Sequence, residues 1–324
     1  IEALKNNPEA PTFENTILAM DNGSVELDYA STVYFNLLGA HSDAEFKALA
    51  QKISPMLAEF SSSIATDPKI FERVKAVYDK EVAGKPKPTM PKDLSDKDSL
   101  RKAERYRLIE RSYKSFIRGG ALLKDADKKR FTEIAMELSQ LSPKFSDNVL
   151  NATNSFELHI TDAAELDGLP QGVMDAAEFT ARRKGKESGW LFTLQPSSVN
   201  PLLTYCKNRE IRRKISTAYS SRAFKDEFDN QELIKRTLIL RKERAKLLGY
   251  ENHAEYVLED RMAASVDTAR SFLDKVYEVA YPAALKEREE VAKLAKELDG
   301  IDTLMGWDWA YYSNKLKEKL FAYD

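Results

Sequence analysis

The chain has 324 residues, with 50 Lys and Arg against 52 Asp and Glu, and its formal net charge is −2. A hydrophobic fraction of 43% excludes global disorder, and the balanced charge gives no electrostatic reason to expect a nucleic acid or an anionic membrane as partner. The single cysteine excludes a disulfide scaffold, no run approaches the ~20 apolar residues of a membrane span, and the low glycine content favours helix.

Three helix starts are predicted near the N-terminus. Thr12 is expected to cap the first helix. Ser42 and Glu45 have the spacing of a capping box, with the serine as the cap. Asp67 precedes Pro68, and proline suits the first helical position because no N–H is needed there. Apolar residues at helical spacing follow each start, so the sequence predicts successive amphipathic helices.

A proline-rich connector separates these helices from two longer ones. Residues 84–91 contain three prolines and are predicted to be non-helical. A helix is expected over 96–118, closed by Gly119. Another is expected over 125–150, with a bend near Pro143.

The β signals lie in the middle of the chain. Residues 155–160 alternate apolar and polar side chains, and residues 189–194 do so more loosely. A short helix is expected between them over 171–184, and a turn over 196–201. These patterns predict a small two-stranded feature within a helical protein.

Three further helices complete the prediction. Residues 232–248 carry an apolar stripe and end at Gly249. Residues 266–298 form the longest run, with a kink expected at Pro282. An aromatic helix over 307–312 closes the chain.

Histidine and cysteine are the first candidates for chemistry. His41, His159 and His253 are isolated, and none belongs to the H-E-x-x-H pattern that places two imidazoles on one helix face. We expect His159 to face outward from its strand and His253 to cap a helix or lie exposed. Cys206 has no basic partner nearby in the sequence and is expected to be an inert thiol.

Phosphate-binding loops and serine nucleophile elbows are absent from the sequence. The basic run 182–186 is expected to be a solvated helix terminus rather than a ligand patch. Aromatic side chains at helical spacing are more often core than site, and this interpretation is favoured for Trp307, Trp309, Tyr311 and Tyr312. From the residues alone, the chain has no self-contained active site.

Four segments in order resemble the zinc metallopeptidases that include thimet oligopeptidase, oligopeptidase A and bacterial peptidyl-dipeptidase (dipeptidyl carboxypeptidase). Within this family, the sequence Leu-Glu-Asp-Arg-Met-Ala at 258–263 is most similar to the bacterial peptidyl-dipeptidase branch. The segments are Pro-Thr-Phe-Glu-Asn-Thr-Ile at 11–17, the run from Leu203 to Ala223, Leu-Leu-Gly-Tyr through Met-Ala at 247–263, and Trp-Asp-Trp-Ala-Tyr-Tyr at 307–312.

The resemblance implies a mainly α, multi-helix, neurolysin-like fold with a small two-stranded β feature. It implies an N-terminal antiparallel helical region over 1–150. It also implies a helical region with a small β hairpin over 151–324 that forms one channel wall and leads into a catalytic half absent from this chain. The family's H-E-x-x-H helix and its substrate-holding groups follow the 307–312 motif. No catalytic, cofactor-binding or metal residue is therefore carried over to this sequence.

The expected function is the non-catalytic N-terminal part of a zinc-dependent oligopeptidase or peptidyl-dipeptidase. Zinc belongs to the full-length enzyme and not to this fragment, which is expected to be inactive alone. The expected partners are short unfolded peptides and the C-terminal catalytic half. The Glu259-Asp260-Arg261 turn and the 307–312 helix are candidates to face the channel, and a helix-end ion pair and a packed core are the favoured alternatives.

A stand-alone helical peptide-binding or scaffold protein without catalysis is the alternative to the enzyme half. The chain opens with Ile1 and no leader, which we interpret as a cut or processed end. A cytoplasmic location is expected for the family resemblance, and a periplasmic one is left open.

Overall fold

The computed structural model describes residues 1–41 and 43–321, and they are mainly helical. The helices are α1 (Glu2–Lys5), α2 (Ala19–Asn22), α3 (Val25–Ala40), α4 (Ala44–Ala65), α5 (Pro68–Glu81), α6 (Lys97–Arg118), α7 (Asp125–Ser155), α8 (Gln171–Arg183), α9 (Pro196–Tyr205), α10 (Arg209–Ser220), α11 (Gln231–Leu247), α12 (His253–Leu258), α13 (Val266–Asp299) and α14 (Trp309–Phe321). A π-helical turn (Phe13–Leu18) leads into α2, and 3₁₀ turns lie at Ala163–Leu166 and Gly306–Asp308. The mainly α, multi-helix fold is confirmed. Within the described ranges, no helix has the length and apolar character to cross a membrane.

The chain forms two compact units, each built from two separate stretches. The first unit combines Ile1–Pro143 with Arg236–Val257. The second combines Lys144–Lys235 with Leu258–Asp324, described as far as Phe321. The boundaries fall inside α7, α11 and α12, so these three helices contribute residues to both units.

The core of the first unit is built around α5. Ile70, Val74 and Val77 have no exposed surface, and their spacing of four and three residues places them on one helix face. They pack in one cluster with Ile109 and Phe116 of α6. The apolar periodicity that predicts this helix therefore also selects its buried face.

Two of the predicted helix starts are confirmed. Thr12 Oγ1 accepts the Asn15 N–H at 3.1 Å, and Asn15 Oδ1 accepts the Thr12 N–H at 2.8 Å, which satisfies both backbone donors. Asp67 Oδ1 accepts the N–H groups of Lys69 at 2.9 Å and Ile70 at 3.1 Å, and the next residue is the expected proline. Both caps satisfy donors that lack a partner within the helix.

Two expectations differ from the structure. The N-cap of α4 is Asp43, which accepts the Phe46 N–H at 2.8 Å, whereas the predicted cap, Ser42, lies outside the described residues. The turn predicted over 196–201 is wrong, because α9 begins at Pro196 and contains Pro201. A proline at the first helical position loses no hydrogen bond, so this proline starts the helix instead of excluding it.

The two-stranded feature is confirmed. Strands β1 (Leu158–Ile160) and β2 (Trp190–Phe192) pair antiparallel, with Leu158 opposite Phe192. Both strands are shorter than the sequence patterns, and Ser155, the first residue of the first pattern, is the last residue of α7. The expected helix between them is α8, so the connection from β1 to β2 is long.

The second unit has two apolar clusters. The first joins the sheet to α9 and α10 and includes Ile160, Phe192, Leu202, Ile211 and Ile215. The second lies between α13 and α14 and contains Val291, Ala295, Tyr311 and Tyr312. The aromatic segment at the start of α14 is thereby fixed against the end of α13.

Candidate functional site

The aromatic segment 307–312 is divided between core and surface. Tyr311 and Tyr312 are buried in the α13–α14 cluster, as the core interpretation predicts. Trp307 is half-buried, and Trp309 is 41% exposed. Trp309 is therefore the aromatic side chain of this segment that a ligand reaches most easily.

Asp308 lies between these aromatic residues and has no exposed surface. Its Oδ2 accepts from Arg209 Nη2 at 2.7 Å and from the Met305 N–H at 3.0 Å. Its Oδ1 accepts from Arg209 Nε at 3.0 Å and from Arg212 Nη2 at 3.2 Å. One buried carboxylate thus faces two guanidinium groups.

The two arginines are brought together by α10. Asn208 caps this helix by accepting the Glu210 N–H at 3.0 Å, and positions 209 and 212 then lie one turn apart on the same face. Arg212 is 1% exposed, and its Nη1 donates to the carbonyl oxygens of Cys206 at 2.8 Å and Lys207 at 2.9 Å. Arg212 therefore fixes the junction between α9 and α10 as well as the start of α14.

Hydrogen bonding outweighs burial at the carboxylate. Burial by itself raises the pKa of Asp308, but hydrogen bonds from Arg209, the Met305 N–H and Arg212 hold it below its ordinary value. The same ion pair raises the pKa of Arg209. Asp308 is therefore an anion at neutral pH and not a proton donor.

The neighbouring tyrosines complete the cluster. The Arg212 guanidinium lies 4.3 Å from the centroid of the Tyr311 ring, which is cation–π distance. Tyr312 Oη donates to Asp299 Oδ2 at 2.7 Å. Burial, with a smaller effect of this hydrogen bond, raises the pKa of Tyr312, so the phenol stays protonated.

The Asp308 cluster (Arg209, Arg212, Asp308, Tyr311 and Tyr312) is a closed arrangement that holds three helices in place. It offers no open position for a substrate at the carboxylate. Among residues 1–41 and 43–321, no group of three or more His, Cys, Asp or Glu side chains could hold a metal ion. The described residues therefore do not fit the zinc centre that the resemblance implies for the full-length enzyme.

The second predicted channel candidate is an exposed turn between α12 and α13. Glu259, Asp260 and Arg261 are all exposed, and the Arg261 N–H donates to the Leu258 carbonyl at 2.9 Å. The turn is accessible to a ligand in solution. That it faces a channel stays a prediction.

His159 and Cys206 lie as the sequence predicts. His159 is exposed on β1, with Nε2 2.7 Å from the Ser188 carbonyl oxygen. Cys206 is fully buried, its Sγ lies 3.6 Å from the Glu165 carbonyl oxygen, and burial raises the pKa of the thiol. A buried thiol with a raised pKa is a poor nucleophile. His41 is exposed at the end of α3.

The basic run at the end of α8 is a solvated terminus, as predicted. Arg182, Arg183 and Lys184 are exposed. Arg182 pairs with Glu178, and Lys184 Nζ lies 3.0 Å from Glu157 Oε1. Local acids pair with Arg182 and Lys184, and the Arg183 guanidinium lies 5.9 Å from the centroid of the Phe179 ring.

The expectation for His253 is wrong. The N–H of Glu255 is capped by Asn252 Oδ1 at 3.0 Å, and His253 is the first residue of α12, half-buried rather than exposed. Its Nδ1 is buried and has no hydrogen-bond partner. Burial first, and then the charges of Arg244 and Arg241, lower the pKa of the imidazole, which is neutral at pH 7.

The sequence patterns do not predict the cationic and aromatic group around His253. The Arg244 guanidinium lies 5.2 Å from the centroid of the Tyr256 ring, and the Arg118 guanidinium lies 4.4 Å from the same ring. Burial lowers the pKa of Arg244. The sequence does indicate the burial of Arg244, because Arg244 lies four residues after the fully buried Leu240 and therefore on the apolar face of α11.

Comparison with known proteins gives matches over the whole chain. The sequence profile of peptidase family M3 matches residues 202–324. Dipeptidyl carboxypeptidase of Salmonella typhimurium is 30% identical over 100% of this chain and 46% of its own length. Oligopeptidase A of Haemophilus influenzae is 32% identical over 96% of this chain and 44% of its own. A probable cytosolic oligopeptidase A of Arabidopsis thaliana is 33% identical over 91% of this chain and 41% of its own length.

The chain therefore spans less than half the length of the curated relatives it matches. The family match begins within α9 and includes α10, the Asp308 cluster and α13. The resemblance stated from the sequence motifs is confirmed by both kinds of match. Residues 202–324 match peptidase family M3, and the chain corresponds to the N-terminal half of the relatives it resembles.

Proposed function

We propose that this chain is the non-catalytic N-terminal part of a zinc-dependent oligopeptidase or peptidyl-dipeptidase that hydrolyses short peptides. One observation carries the proposal: relatives named dipeptidyl carboxypeptidase and oligopeptidase A match 100% and 96% of the chain, yet the chain covers less than half of each. The remainder of such a polypeptide supplies the zinc ligands and the catalytic base. The chain alone is inactive.

In this proposal the helical half shapes the substrate channel and restricts access to short unfolded peptides. The exposed side chains of Trp309 and of the turn formed by Glu259, Asp260 and Arg261 are the proposed channel-facing groups. The Asp308 cluster acts on the channel only by fixing the start of α14, because its carboxylate is buried. The partner of this half is the C-terminal catalytic half of the same polypeptide.

The proposed location is the cytoplasm. A relative from Arabidopsis thaliana carries the word cytosolic in its name, and another from the same plant carries the words chloroplastic and mitochondrial. The cytosolic name supports the proposal, and cell fractionation with an antibody to this chain tests it.

The experiment compares the complete product of the reading frame with the 324-residue chain. We expect the complete product to hydrolyse short peptides, to lose this activity with a chelator and to regain it with zinc. The 324-residue chain should show neither hydrolysis nor stoichiometric zinc by elemental analysis. A reading frame that stops directly after Asp324 would overturn the proposal and favour a stand-alone peptide-binding protein. Hydrolysis by the 324-residue chain would overturn both the proposal and that alternative.

A further inference from the structure

One face of α13 is apolar and uncovered. We call it the α13 stripe and define it by Phe272, Leu273, Val276, Tyr277 and Val279, which are between 48% and 77% exposed. The spacing of three and four residues places them along one side of the helix. Part of the stripe lines an open depression of about 450 Å³, together with Lys275 and Ala280.

Part of the stripe repeats a pattern that is buried further along the same helix. Positions 18 residues apart differ by about five turns, so they point in the same direction from the helix axis. Three of the five stripe residues have an apolar counterpart at this separation: Leu273 with Val291, Val276 with Leu294, and Tyr277 with Ala295. Phe272 and Val279 correspond to the exposed Glu290 and Glu297.

The first member of each pair is exposed and the second is buried. Leu273 is 63% exposed and Val291 3%, and Val276 is 48% exposed and Leu294 4%. Val291 and Ala295 are covered by Tyr311 and Tyr312 of α14, within the same unit. Leu273, Val276 and Tyr277 of the stripe therefore continue a packed helix interface, and the described residues supply no cover for them.

We propose that the α13 stripe is the docking surface for the part of the M3 polypeptide that lies outside these 324 residues. The inference rests on the proposed function, in which that part is the catalytic half. The relatives are more than twice as long as the region they share with this chain, so such a segment has ample length. A segment of the same polypeptide is also present at a higher effective concentration than a second copy.

Two neighbouring positions of α13, one within the stripe and one outside it, provide the test. Val279→Cys places a thiol on the stripe, and Glu278→Cys places one about a quarter of a turn away, outside the stripe, where the side chain is also exposed. The native Cys206 is fully buried and should stay unlabelled, so the labelling rate reports on the introduced cysteine. The rate of thiol labelling is measured in the 324-residue chain and in the complete polypeptide.

We expect V279C to be labelled rapidly in the 324-residue chain and at least about tenfold more slowly in the complete polypeptide, as protected sites are. E278C should be labelled at the same rate in both. Equal rates for V279C in the two proteins would overturn the proposal. Protection of V279C in the 324-residue chain that grows with its concentration would assign the stripe to a second copy instead.

Peptide hydrolysis by the unlabelled complete polypeptide is measured in parallel. Hydrolysis without protection of V279C would overturn the docking surface and leave the proposed function intact. Protection of V279C without hydrolysis would overturn the proposed function and leave the docking surface standing.

Discussion

Asp308 balances two guanidinium groups at a position with no exposed surface. In Asp308→Asn the side chain keeps its size but loses its charge, which leaves the buried Arg212 without a counter-ion. We expect the free energy of unfolding to fall by about 3 kcal/mol, as when one partner of a buried pair is removed. Urea unfolding followed by tryptophan fluorescence measures this, because all three tryptophans (Trp190, Trp307 and Trp309) lie in the second unit.

The control for this variant is Asp302→Asn, nearby in the same unit. Asp302 Oδ1 lies 3.1 Å from Lys296 Nζ, and the two side chains are 80% and 70% exposed. Exposed pairs contribute little to stability, so D302N should unfold like the parent. Similar destabilisation by D302N and D308N would contradict the role assigned to burial.

The same carboxylate makes stability depend on pH. The pKa of Asp308 is lower in the folded chain than its ordinary value. Its ion pairs therefore stabilise the fold above the unfolded pKa of ~3.9, and this contribution is lost as pH falls through the folded pKa. We expect the difference in unfolding free energy between parent and D308N to be constant near neutrality and to shrink below about pH 4. A difference that stays constant down to pH 3 would refute this.

Residue identity predicts only part of the Asp308 cluster. The Trp-Asp-Trp pattern marks the position of Asp308, and Tyr311 and Tyr312 lie in the core as expected. The burial of Arg212 was not predictable, because arginine is usually exposed and its carboxylate partner lies 96 residues further along the chain. A local pattern does not contain a pairing of that separation.

At the scale of secondary-structure elements, the contact between β1 and β2 depends on a glycine. Gly189 precedes β2 with φ of 89°, and a Cβ there would lie 2.5 Å from the Ile160 carbonyl oxygen. In Gly189→Ala the left-handed backbone costs about 1–2 kcal/mol, and the clash with the strand adds to it. We expect a clear decrease in the thermal midpoint of the tryptophan fluorescence transition.

Gly172→Ala is the matched control for G189A. Gly172 lies exposed in the first turn of α8, and an added Cβ would meet no atom within 4 Å. Alanine is a better helix former than glycine, so G172A should unfold at the same temperature or higher. A lower midpoint for G172A than for G189A would argue against the role of the positive φ.

Helices were more predictable than their contacts. The caps at Thr12 and Asp67 are local hydrogen bonds between residues three apart or fewer, so the sequence shows them directly. The sequence does not distinguish a turn from a helix start at Pro196, because proline is common in both. The strands, at three residues each, are shorter than the alternating pattern, since the pairing partner decides where a strand ends.

For the whole molecule, the assembly of each unit from two stretches has no local signal. The chain leaves the first unit after Pro143, returns at Arg236 and leaves it again after Val257. An amphipathic helix such as α11 shows which face it buries but not which other helices it packs against. Membership of a unit is therefore a property of the packed structure.

The first unit should survive a cut in its connector. Residues 84–91 are non-helical, and the core joins α5 before the connector to α6 after it. Arg105, which follows the connector, also donates to two acids that precede it: its Nε to Glu81 Oε2 at 2.7 Å and its Nη1 to Glu14 Oε1 at 2.7 Å. We expect a variant with a site-specific protease sequence inserted after Pro91 to elute as a single species after complete cleavage.

We expect the two fragments to stay together because their apolar side chains form one core. Val74 and Val77 are fully buried against side chains that follow the cut, so separation would expose both halves of one core to water. The uncut variant in buffer and the cut variant in concentrated urea are the reference samples, and the latter should elute as two pieces. If the cut protein separates in buffer, the two segments do not form one core, and the packing of α5 on α6 described here would be wrong.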